Sequence, residues 1–166
     1  ITLTSAGPTT AQELCRNSTI IDITYAIAGG GTGANVVFTP ALPGVTGSYS
    51  AGVFTITGTP TLAGLFNYIV TTTGTCVQNS QSGSILVNQL PTANFSYTTP
   101  SCETRTISFT DLSVANSGNI NRWRWDFGDG FTSSLQNPVH TYATGGTYTI
   151  TLIADKVIIQ GIVCSD

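Results

Sequence analysis

The sequence predicts an all-β chain arranged as two small domains in tandem. Three observations carry that expectation. Apolar and polar residues alternate over short runs, and 29 threonines, mostly within β-like runs, suit half-exposed strands. Eighteen glycines and seven prolines punctuate those runs, and no stretch shows a convincing helical period. Four cysteines fall two and two, Cys15 with Cys76 and Cys102 with Cys164, at separations of 61 and 62 residues.

Composition narrows the function classes. Charged residues make up 8% of the chain and the net charge is −3, so there is no basic surface for nucleic acid. Low charge does not mean disorder here, because 40% of the residues are hydrophobic. No run approaches the roughly 20 apolar residues of a membrane span. The opening ITLTSAG is already strand-like and shows no signal peptide, which reads as a mature start or a cut from something larger. The cysteine spacing is far from any CxxC metal pattern, and one histidine leaves little nitrogen for zinc. Two intradomain disulfides are therefore expected, with four buried thiols in a reducing cytosol as the alternative.

The first domain is expected over residues 1–90. Ile1 and Leu3 start a strand that Gly7-Pro8 stops. Ile21, Ile23, Tyr25 and Ile27 alternate over a second, and Gly29 to Gly33 break the chain as a flexible hairpin loop. Val36 to Thr39 resume it, and Pro40, Pro43, Gly44 and Gly47 make the next stretch rich in turns. Val53 to Thr57 form another strand. Phe66, Tyr68 and Val70 share one face of the next, and Ser84 to Val87 close the domain. The glycine run follows a strand, but it lacks the Gly-Lys-Ser/Thr ending and a following helix, so it is not a phosphate loop.

The junction is Asn88-Gln89-Leu90-Pro91-Thr92, short enough to restrict the angle between domains. The second domain, 91–166, opens on Phe95 and Tyr97, with Ile107 and Phe109 in its next strand. Trp123, Trp125 and Phe127 then alternate, which sets three rings on one face and Arg122, Arg124 and Asp126 on the other. Gly128-Asp129-Gly130 follows as a hairpin signal. Asn137-Pro138 opens a short strand from Val139 to Tyr142, and Gly145-Gly146 precedes Tyr148, Ile150 and Leu152. At the end, Val157 to Val163 either extends into a hairpin or the final strand is missing. A missing strand would leave a sheet edge open to another chain.

WDFGDG, NPVHTY and GGTYTITL, in that order, resemble the signature of the PKD (polycystic kidney disease repeat) domain. The resemblance implies an immunoglobulin-like β-sandwich, and hence two such sandwiches in tandem. It places Trp125, Phe127, His140, Tyr142 and Tyr148 in structural roles. Trp125 goes to the core with Trp123 beside it near a rim, and His140 to a hydrogen bond between strands. Tyr148 takes the part of a tyrosine corner. In the first half, LPGVTG, GVFTITGTP and GLFNYIVTTTGTC are similar to the PKD-like repeats of very large surface proteins of Bacteroidetes-type bacteria. That similarity implies secretion, sister modules in tandem and an adhesive or structural role.

Candidate chemistry is sparse. Asp126 and Asp129 flank the glycine turn, with Asp111 and Asp155 near the same edge, and carboxylates on sandwich loops can assemble a calcium cage. EF-hand spacing is absent, however, and aspartates capping their own turn account for the same residues. No other cofactor is expected. His140 has no second histidine and no G-x-S-x-G nucleophile to complete a triad. The only glutamates, Glu13 and Glu103, stand one near each domain start. The expectation is a non-catalytic extracellular adhesion or structural module of a large secreted or cell-surface repeat protein. Its partners would be neighbouring repeats and a surface glycan or protein ligand. The alternatives are a glycan-binding accessory region of a secreted hydrolase and a subunit that self-associates into fibres.

Overall fold

The computed structural model describes residues 1–5, 9–75, 77–99, 104–158 and 162–166. The chain divides into two compact units, Ile1–Asn88 and Gln89–Asp166. The described residues hold strands, turns and loops, and no helix long and apolar enough to cross a membrane.

In the first unit, β1 (Thr2–Leu3), β3 (Ile23–Ala26), β6 (Val53–Gly58) and β5 (Val45–Ser50) make one sheet, in that order. The other runs β2 (Ala11–Cys15), β8 (Ser80–Asn88), β7 (Gly64–Gly74), β4 (Gly31–Thr39). Labelled in chain order these are the ABED and CFG sheets of an immunoglobulin sandwich, with β2 added parallel to β8. Strand alternation builds the core. Ile23 and Tyr25, Phe54 and Ile56, Phe66, Tyr68 and Val70, and Ile85 and Val87 all turn inward and are buried. Inside it, the hydroxyls of Tyr25 and Tyr68 lie 3.2 Å apart, which satisfies two buried polar groups together.

Three local expectations for this unit are corrected. Ile21 is off the strand and 64% exposed. Its backbone N–H and carbonyl pair with the side-chain amide of Gln12 at 2.9 and 2.6 Å, so that amide stands in for a neighbouring strand. Gly29 and Gly30, both at positive φ, form the turn, whereas Gly31 and Gly33 already belong to β4. Gly47 lies inside β5. A Cβ there would sit 2.3 Å from the Phe54 ring, so this glycine permits close packing instead of a turn.

In the second unit, β13 (Val139–Thr141), β10 (Thr106–Asp111) and β9 (Phe95–Tyr97) make one sheet, and β12 (Thr132–Ser133), β11 (Arg122–Asp126), β14 (Thr151–Val157) and β15 (Val163–Ser165) the other. A final strand does follow β14. Cys164 stands opposite Lys156, and Ile158 N–H donates to the Ile162 carbonyl at 2.9 Å. The missing-strand alternative for the end of the chain is thereby overturned. Part of the connecting segment, residues 159–161, lies outside the described residues.

Cys15 and Cys164 are buried and disulfide-bonded, which overturns the four-thiol alternative. Cys76 and Cys102, on which the other half of the expected pairing falls, lie outside the described residues.

Candidate functional site

The second unit is organised by the register of β11 on β14. Trp123 stands opposite Ala154 and Trp125 opposite Leu152, facing inward, while Arg122 stands opposite Asp155 on the outer face. Trp125 is 1% exposed, with its ring centre 5.2 Å from that of Phe95 and 5.4 Å from that of Phe109. Its indole N–H donates to the Leu135 carbonyl at 2.9 Å. Trp123 packs at the margin of the same core, half-buried, and donates to Asp111 Oδ2 at 2.8 Å.

The motif residues that look chemical in the sequence are engaged within the fold. Phe127 is buried and stacks on the His140 imidazole at 4.2 Å with the planes 3° apart. His140 Nε2 meets Asp129 Oδ2 at 2.7 Å, linking the turn after β11 to β13 in the other sheet. The Tyr142 hydroxyl donates to the Phe127 carbonyl at 3.0 Å. The Tyr148 hydroxyl reaches back to the Thr144 carbonyl at 3.0 Å, the geometry of a tyrosine corner. Asp126 Oδ1 accepts from Gly128 N–H at 2.9 Å and Asp129 Oδ1 from Phe131 N–H at 3.2 Å, each capping its own turn. Desolvation opposes the charge of Asp129. The His140 and Phe131 hydrogen bonds outweigh it and hold the carboxyl below the usual aspartate range.

Three of the four carboxylate oxygens of Asp126 and Asp129 already face N–H or imidazole nitrogen. Asp111 takes Trp123, Gln136 and Ser113, and no group of three or more His, Cys, Asp or Glu gathers among the described residues. Glu13 Oε1 accepts from Asn88 at 2.8 Å, and Glu103 lies outside the described residues.

Sequence reasoning missed the role of Asp155. It has no exposed surface, yet lies on the outer face of its sheet beneath Arg122 and Arg124, whose Nε atoms stand 2.7 and 3.2 Å from its Oδ2. Desolvation works against its charge. Hydrogen bonds from Ser165, Arg122 and Arg124 prevail and hold the carboxyl below its ordinary value. Three neighbouring strands, β11, β14 and β15, thus converge on one carboxylate. Asp155→Asn is expected to cost the second unit about 2 kcal/mol, the scale of hydrogen bonds to a charged group. Because the folded value lies below the unfolded one, this contribution is complete above about pH 4 and is lost as pH falls through the folded value. Acid melts should therefore show a shallower pH dependence in the asparagine variant. Identical slopes would contradict this role.

A cleft of about 560 Å³ in this unit, lined largely by aromatic rings, falls within the range of small-ligand sites. It opens between β9–β10 and the stretch from Tyr142 to Ile150. Tyr97 lines it at 60% exposed, packed 6.3 Å from the buried Phe109. Arg105, which donates to the Ala143 carbonyl, and Thr144 add polar groups. Alternation marked Tyr97 only as part of an opening strand, and a cleft formed by residues far apart in sequence left no local signal.

The strand order and this interior define a pair of immunoglobulin-like sandwiches. Residues 88–157 match the PKD domain family, so the second unit is a PKD domain. Two Bacillus cereus proteins are similar in sequence. Collagenase ColQ1 of strain Q1 is 40% identical over 67 residues, 40% of this chain and 7% of that protein. Collagenase ColA of a second strain is 43% identical over 42 residues, 25% of this chain and 4% of that protein. The chain thus spans less than a tenth of the length of these relatives. Fibronectin(III)-like modules of Clostridium thermocellum CbhA superpose over 99% of this chain and 90% of theirs, at TM-score 0.45 and 13% identity. Titin domains z1z2, from a complex with telethonin, do so over 93% and 89%, at TM-score 0.41 and 16% identity.

Proposed function

We propose that the chain is a non-catalytic extracellular region of a larger protein, serving adhesion to a surface or matrix and spacing between neighbouring modules. The observation that carries this reading is the use made of the polar motif residues. His140 and Asp129 are joined to each other against the rings of Phe127 and Tyr142, an arrangement that ties two sheets together and, among the described residues, leaves no nucleophile beside the imidazole. Tandem repetition of such modules would make weak contacts effective.

A second reading, an accessory region that holds a secreted hydrolase on its substrate, is favoured by the collagenase relatives and by the aromatic cleft. Tyr97 offers a ring face to a sugar or a fibrous-protein side chain, and Arg105 and Thr144 offer polar partners. Beads coated with the chain test both readings on cell surfaces, a glycan array and gelatin. Retention that falls several-fold with Tyr97→Ala supports a ligand in the cleft. Retention on cells alone favours adhesion, and retention on glycan or gelatin favours the accessory role. Coated beads retained no better than blocked beads, or release of product from gelatin, would contradict the proposal.

A further inference from the structure

We propose that strand β4 is an open sheet edge through which two copies of this chain pair, antiparallel about a two-fold axis, joining their four-stranded sheets edge to edge. The two units make the comparison internally. In the second, β11 pairs with β14 on one side and carries the short strand β12 on the other. In the first, β4 pairs with β7 in the corresponding way, but it ends its sheet, with no strand in the place of β12 among the described residues.

The edge is long and undefended. β4 has nine residues, Gly31–Thr39, with no charge and no proline, so it lacks the lysines, prolines or inward charges that commonly blunt such edges. Its one irregularity lies between Gly31 and Gly33, where Tyr49 of β5 also comes close. The regular part is therefore Ala34 to Thr39.

A second copy suits this edge because the strand tolerates its own sequence reversed. A two-fold axis perpendicular to the sheet keeps inner faces with inner faces, so opposed residues must share a face. Centred on Val37, the pairing sets Val37 against Val37 of the second copy, with Asn35 against Thr39 on the outer face and Val36 against Phe38 on the inner. No like charges meet. Val37 is 64% exposed and its neighbour in register on β7, Ile69, is 52% exposed. Pairing would extend these two into an apolar row of four across the axis, from Ile69 through both Val37 side chains to the second Ile69.

Sedimentation equilibrium of the full chain from micromolar to millimolar concentration tests this. The expected result is a mass rising with concentration from 17.3 kDa towards twice that value, together with slower amide exchange at Ala34–Thr39 in the concentrated sample. Val37→Lys, at an exposed position, brings two ammonium groups together on the axis and should weaken association about tenfold with an unchanged circular dichroism spectrum and Tm. Val37→Thr, neutral and β-favouring, should retain it. A chain that stays monomeric at every concentration overturns the proposal, and so does a dimer whose affinity and exchange pattern ignore Val37→Lys.

Discussion

Trp125→Ala is expected to destabilise the second unit by about 4 kcal/mol, the scale for emptying a buried tryptophan site. The indole is 1% exposed, is packed edge-on against Phe95 and tilted against Phe109, and satisfies the Leu135 carbonyl. Its removal leaves a cavity bounded by both sheets, whose rings are fixed by other contacts such as Phe127 on His140 and so cannot simply collapse inward. The loss is a large part of what so small a domain has available, so the unit should unfold at room temperature in modest urea. Both tryptophans of the chain lie in this unit, and Trp123 remains in the variant, so its fluorescence reports this unit alone. A loss below about 1 kcal/mol would mean that the ring is not the centre of the core.

The second large effect concerns the disulfides. Cys15 and Cys164 are each disulfide-bonded, and the two-and-two spacing of the sequence leads to the expectation that their partners are Cys76 and Cys102 respectively. Closing a loop of some 60 residues stabilises by about 4 kcal/mol in the chain-entropy treatment. The double variant Cys15→Ser/Cys76→Ser is therefore expected to lower the stability of the first unit by that amount and to leave the fluorescence melt of the second unchanged. Non-reducing peptide mapping checks the pairing itself. A peptide joining Cys15 to Cys102 or Cys164 would contradict it.

Much of this architecture is legible because a strand's side-chain period is two and its burial is binary. Phe66, Tyr68 and Val70, like Trp125 and Phe127, needed only alternation to be placed inside. What stayed hidden came from partners distant in sequence. β2 reads as polar because Gln12 and Glu13 interrupt it, and only pairing with β8, some 70 residues on, makes it a strand. Gly47 looks like a turn until the Phe54 ring is seen against it. The first turn of the aromatic strand was plain from Asp-Gly chemistry, but the burial of Asp155 was not. A carboxylate on an outer face reads as solvated until two arginines from the next strand close over it.

Separate expression of residues 1–88 and 89–166 tests the central claim most directly, since each unit has its own core cluster among the described residues. Two dispersed amide spectra, each with its own cooperative melt, are the predicted result. Collapse of either half into an unfolded spectrum that only mixing with the other restores would contradict two self-sufficient sandwiches, and with them the modular, non-catalytic role.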